Sequence, residues 1–205
     1  MAAGQRGKDF LRSFEHNYRH VQAFFAAMFA YIAGSPFVLQ EIYGLSPQLF
    51  SVIFGMNALG LVTASQINGR LVGRVPPVRL LVAGLIATAT GGVALLLVVT
   101  IGGIGLVGIL PSLFVVVSSL GFVMPNATAL ALSDHPRIAG SASALLGVLQ
   151  YAVGATVAPL VGAFGTATAL PMAVVIGTLG CSALVVFVLL VGGNRSQTRN
   201  TGVNP

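Results

Sequence analysis

No charged residue stands between Arg79 and Asp134, and none between Arg137 and Arg195. A charge at the centre of a bilayer costs about 2.5–3.5 kcal/mol on insertion scales, so stretches this clean point to lipid. Each is far longer than the roughly 20 residues of one transmembrane helix and suits two helices joined by a turn. The ten basic residues, set against four acidic ones, gather in four clusters: Arg6, Lys8, Arg12 and Arg19; Arg70, Arg74 and Arg79; Arg137; and Arg195 with Arg199. This is the charge map of an all-α polytopic membrane protein, because a helix satisfies its own backbone in lipid.

Composition excludes the soluble alternatives. Hydrophobic residues make up 56% and charged residues 7%, with a mean hydropathy of +0.94. A net charge of +6 would suggest nucleic acid in a soluble protein. Here the basic residues flank apolar segments, where they set orientation, and no nucleic-acid partner is expected. The single cysteine, Cys181, lies within an apolar run, which leaves no intrachain disulfide and no Cys/His spacing for a metal.

Six spans are expected, at residues 21–40, 50–69, 78–99, 106–130, 138–163 and 170–191. They divide the chain into a polar N-terminal segment (1–20), a transmembrane domain (21–192) and a disordered polar tail (193–205). The apolar run after residue 20 is too long for a signal peptide. Phe10, Leu11, Phe14 and Tyr18 recur at helical spacing within the first segment, which reads equally as an interfacial helix or a solvated connector. An even number of spans puts both termini on one side of the membrane. All ten Lys and Arg fall on that side, and the opposite loops hold only Glu41. Both termini are therefore expected in the cytoplasm.

Pro111 and Pro171 are expected in first helical turns, where a missing N–H does no harm. Pro36, Pro125 and Pro159 fall inside spans and should kink or break them. Ser143, Gly147, Gly154 and Ala158 form a small-residue stripe on the fifth span, suited to close helix packing.

No Asp, Glu, Lys, Arg or His lies deep in any expected span, so the chain carries no coupling acid of its own in the membrane. The uncharged polar residues there are the candidate site. Tyr31 and Ser35 stand on the first span, Asn57 on the second, Asn126 on the fourth, and Gln150 and Tyr151 on the fifth; all but Asn126 are expected to line the cavity. Phe24, Met28, Tyr31 and Ser35 share one helical face whose aromatic, thioether and hydroxyl groups suit an amphipathic organic ligand. For any one of them an interhelical hydrogen bond is the competing role. An enzyme is not expected. No histidine follows position 135 to serve Ser141 or Ser143, no paired acids offer a metal site, and no phosphate-binding glycine loop is present. No cofactor is expected either.

Two stretches carry a resemblance. The first runs from Tyr31-Ile32-Ala33-Gly34-Ser35-Pro36-Phe37-Val38-Leu39-Gln40 through Tyr43-Gly44-Leu45-Ser46-Pro47 to Phe54-Gly55-Met56-Asn57-Ala58. It closely resembles the seventh and eighth helices of the bicyclomycin-resistance drug:proton antiporters of the major facilitator superfamily. Asn126 to His135 and Ala139-Gly140-Ser141-Ala142-Ser143 are similar to that family's tenth and eleventh helices. Gly69-Arg70-Leu71-Val72-Gly73-Arg74 resembles a degenerate copy of the superfamily's cytoplasmic loop motif, with Gly69, Arg70 and Arg74 in place. Gly73 stands where an acid is common, and Pro76 where glycine is.

The resemblance implies half of a major facilitator fold, built as a 3+3 inverted repeat, in a bacterial inner membrane. It covers the C-terminal six-helix half alone. The implied function is one half of a multidrug efflux transporter, exchanging small amphipathic drugs for protons, with the coupling acid in a missing N-terminal half. The alternative is a non-transporting membrane remnant or interaction protein that pairs with another membrane chain.

Overall fold

The computed structural model describes residues 25–133, 139–163 and 168–200, folded into six helices. These are α1 (Phe25–Ile42), α2 (Pro47–Leu71), α3 (Pro77–Ile101), α4 (Leu106–Ser133), α5 (Ala139–Ala163) and α6 (Leu170–Asn200). Among the described residues α1 to α4 each carry a stretch long and apolar enough to cross a membrane. In α5 and α6 the apolar stretches, Ser143–Thr156 and Leu170–Val185, are shorter. Residues 1–24, with Phe24 of the expected ligand face, and residues 134–138, 164–167 and 201–205 lie outside the described residues.

Local chemistry explains the boundaries. Pro36 cannot donate to the carbonyl four residues back, and its ring crowds that carbonyl. The chain does not break there; it widens into a π-helical turn over Phe37–Ile42, closed by Tyr43 N–H on Val38 O at 3.2 Å. This carries α1 beyond the expected end at Gln40. Ser46 then caps α2, its Oγ accepting from Leu49 N–H at 3.3 Å, and Pro47 occupies the first turn. Left-handed glycines, Gly102, Gly103 and Gly105, turn the chain between α3 and α4.

Two expectations need correction. Pro111 is not in the first turn of α4: the helix begins at Leu106, directly after left-handed Gly105, so the proline lies within the helix. The carbonyl it frees belongs to Val107, which is 81% exposed and so can be solvated at the helix end. Pro125 leaves α4 continuous as well. α6 extends through Gly192-Gly193 to Asn200, since glycine costs a helix only about 1 kcal/mol and does not forbid it.

α4 is the centre of the bundle. Ile109, Leu113, Val116, Val117, Leu120, Val123 and Ala127 are all buried along it, at the three- and four-residue steps of one helical face. It packs against α3 and α2, and α3 packs in turn on α6. The α3–α6 crossing is backbone on backbone. A methyl group placed on Gly92 would stand 3.1 Å from Gly177 Cα. Such close approach maximises van der Waals contact, the main source of helix association in lipid. The expected stripe on α5 divides: Gly154 is flush with the Phe29 ring of α1, while Gly147 faces open space.

Candidate functional site

The face shared by Tyr31 and Ser35 on α1 turns inward, and α2 closes over it. Tyr31 is 4%, Ser35 0% and Asn57 4% exposed. Asn57 Nδ2 donates to the Tyr31 phenol oxygen at 2.9 Å, joining α1 to α2. The Tyr31 ring lies parallel to Phe54 of α2, 8° between planes and 5.8 Å between centroids. Phe50 continues the run at 5.8 Å from Phe54. Ser35 Oγ lies beside the same phenol but finds no well-formed hydrogen bond. A buried hydroxyl left short in this way costs about 1–3 kcal/mol, so the seam holds unused hydrogen-bonding capacity.

The structure separates the five candidate residues into two groups. Tyr31, Ser35 and Asn57 meet between α1 and α2. Gln150 is half-buried on α5, and Tyr151 is 72% exposed. Tyr151 reaches α1 on Phe29, two residues from Tyr31, in an edge-to-face contact at 6.0 Å. Among the described residues no hydrogen bond joins the α5 pair to the trio. The arrangement offers ring faces and neutral hydrogen-bonding groups, which suit reversible contact with a polar organic molecule.

A second polar contact joins Asn126, which the sequence singles out, to a partner that the sequence reading did not name. Asn126 Nδ2 donates to Asn68 Oδ1 at 2.6 Å and to Phe122 O at 2.7 Å, tying α4 to the far end of α2. The usable signal was the spacing of Asn57, Gly60, Ala64 and Asn68, which falls on one face of α2; these are the buried residues of that helix. Between the two asparagines the contact is smooth. Ser118 and the Phe114 ring fill the space beside Gly60. A methyl group at Gly121 of α4 would lie 2.6 Å from Ser65 N and 2.7 Å from Leu61 O.

The loop-motif residues lie at the end of α2. Gly69, Arg70 and Arg74 are exposed, and Gly73 takes a φ of 90°. A side chain at that backbone conformation would be strained, which suits glycine there.

Against known proteins, the family model of the Major Facilitator Superfamily matches residues 20–159. The chain is 42% identical over 134 residues to an "Uncharacterized MFS-type transporter YdgK" of Bacillus subtilis, covering 65% of this chain and 33% of that protein. It is 30% identical over 148 residues to a "Bicyclomycin resistance protein homolog" of Haemophilus influenzae, covering 71% of this chain and 36% of that one. The chain thus spans about a third of the length of these relatives. Members of the family are membrane transporters rather than enzymes. With its several apolar helices and a match over residues 20–159, this chain is a multi-pass membrane protein that belongs to the Major Facilitator Superfamily.

Proposed function

We propose that the chain supplies the C-terminal half of a multidrug efflux transporter, in which small amphipathic compounds are exchanged for protons across a bacterial inner membrane. In this reading α5 and α6 cross the membrane as α1 to α4 do, in a 3+3 inverted repeat with both termini cytoplasmic. The observation that carries it is the cluster of Tyr31, Phe54 and Asn57, where a phenol, a ring face and an amide converge in an otherwise apolar seam. The Haemophilus relative, a bicyclomycin resistance protein homolog, supports drug compounds as the substrate class. Phe54 and Tyr151, 39% and 72% exposed, offer the first stacking surfaces. A bound compound then competes for the Asn57–Tyr31 hydrogen bond and engages Ser35 and Gln150. Glu41, at the end of α1, is the acid among the described residues. The reading therefore assigns the proton-coupling carboxylate to a partner half.

Reconstitution in liposomes tests this. Gradient-driven accumulation of a drug is expected when the chain is combined with a candidate partner half, and Tyr31→Ala is expected to change which compounds accumulate. A profile untouched by both Tyr31→Ala and Asn57→Leu would remove the α1–α2 seam from the cleft. Failure with every partner would favour a non-transporting protein that pairs with another membrane chain. For topology, an impermeant thiol reagent applied outside should label a cysteine at Pro47 and spare one at Arg74; the reverse would invert the assignment.

A further inference from the structure

The turn between α2 and α3 takes no part in the proposed cleft, yet it concentrates positive charge. Arg70 lies in the last turn of α2, Arg74 in the connection and Arg79 in the first turn of α3. All three are exposed, and no ion pair reaches them among the described residues. Of the four acids in the sequence, Asp9, Glu15 and Asp134 lie outside the described residues. Glu41 stands at the opposite end of α2, roughly 35 Å away at 1.5 Å per residue. Three guanidinium groups in so short a stretch repel one another, and the positive end of the α3 dipole adds to the strain on Arg79.

The turn that carries them is defined. Val72 N–H bonds Asn68 O at 2.9 Å, and Arg74 N–H and Val75 N–H both bond Leu71 O at 3.0 Å. Apolar groups lie between the arginines: Val72 is 51% and Val78 37% exposed. Both flanking helices are apolar enough to cross a membrane, so their shared end falls at headgroup depth. A soluble anion would match the guanidinium groups alone. An anionic phospholipid matches both features, a phosphodiester for the arginines and acyl chains for the valines.

We propose that the α2–α3 turn is a docking surface for anionic phospholipid, held by Arg70, Arg74 and Arg79. Each basic residue near a membrane surface adds about fivefold to binding, so three set a ceiling of about a hundredfold preference over zwitterionic lipid.

The chain contains no tryptophan, which permits a site-specific reporter. Val78→Trp places a fluorophore beside Arg79. Ile101→Trp places another at the far end of α3, at a position 71% exposed. Each protein is reconstituted in phosphatidylcholine vesicles containing phosphatidylglycerol with brominated acyl chains, which quench tryptophan on contact. The expected result is a preference for phosphatidylglycerol of at least about fivefold at the reporter beside Arg79, and bulk composition at the reporter on the far end of α3. Adding R70Q/R74Q/R79Q should return the first reporter to bulk composition and leave the second unchanged, which also reports that the bundle is intact. Arginine-to-lysine replacement at the three positions should keep most of the preference. Bulk-level quenching of the first reporter with the arginines present, or a preference that survives their neutralisation, overturns the proposal. Displacement by inorganic phosphate beyond that caused by sodium chloride at equal ionic strength overturns it too, because the site would then serve a soluble anion.

Discussion

α2 and α3 are equally long, 25 residues each, and they join the bundle by opposite means. α3 buries Leu80, Leu81, Leu85 and Leu95 together with Gly84, Gly91 and Gly92, between α4 on one side and α6 on the other. α2 buries Asn57, Gly60, Ala64 and Asn68, and its leucines, valines and isoleucines face outward or sideways. The share of the apolar stretch that is buried is 39% in α3 and 11% in α2. In water a helix that hid its amides and exposed its leucines would not associate. In lipid the acyl chains receive the leucines at no loss, and the inward face is chosen by close packing and hydrogen bonds. Burial on α2 therefore follows size and polarity more than hydropathy.

The largest expected effect tests the smooth part of the α2 seam. Gly121→Leu drives a side chain into the α2 backbone at Leu61 and Ser65, a displacement that no rotamer relieves. It should lower stability in mixed-micelle unfolding by about 3 kcal/mol. Gly92→Ala at the α3–α6 crossing meets Gly177 at 3.1 Å, a contact that a shift of a few tenths of an ångström relieves, so about 1 kcal/mol is expected. The reverse order would show that α2 is the more loosely held helix, and the comparison would fail.

A smaller effect sharpens the polar side of the comparison. A double-mutant cycle on Tyr31→Phe and Asn57→Leu should give a coupling of about 0.6 kcal/mol, and no more than about 1.7. Zero coupling would mean that the 2.9 Å bond adds nothing beyond the packing of α1 on α2. A cycle on Asn68→Leu and Asn126→Leu should fall in the same range. The smallest effect is the control: Val107→Ala, 81% exposed at the start of α4, should stay within about 0.5 kcal/mol of the parent. A larger loss would show that this end of α4 meets something beyond lipid and solvent.

The helices themselves were legible in the sequence because charge and turn chemistry act locally. Uncharged stretches bounded by Arg79, Asp134, Arg137 and Arg195 marked the apolar segments, although α2 starts at Pro47, ahead of the expected span at 50–69. The run from Tyr31 to Ala58 announced the family that the match over residues 20–159 then showed. Tyr31, Ser35 and Asn57 were legible as candidates too, since a polar residue at membrane depth is costly and rarely idle. Their grouping was not. Whether Asn57 meets Tyr31 or Tyr151, and whether Asn126 finds Asn68, depends on how α2 is rotated against α1 and α4. That rotation is set by where Gly60 and Gly121 let two backbones approach. Pro36 shows the same division. Its sequence position foretold a disturbance in α1, but only the packing of Val38 and Leu39 into the core decided that the helix would widen rather than end. Periodicity and charge act along the chain and can be read from it; close approach acts between segments far apart in sequence, and only the folded bundle resolves it.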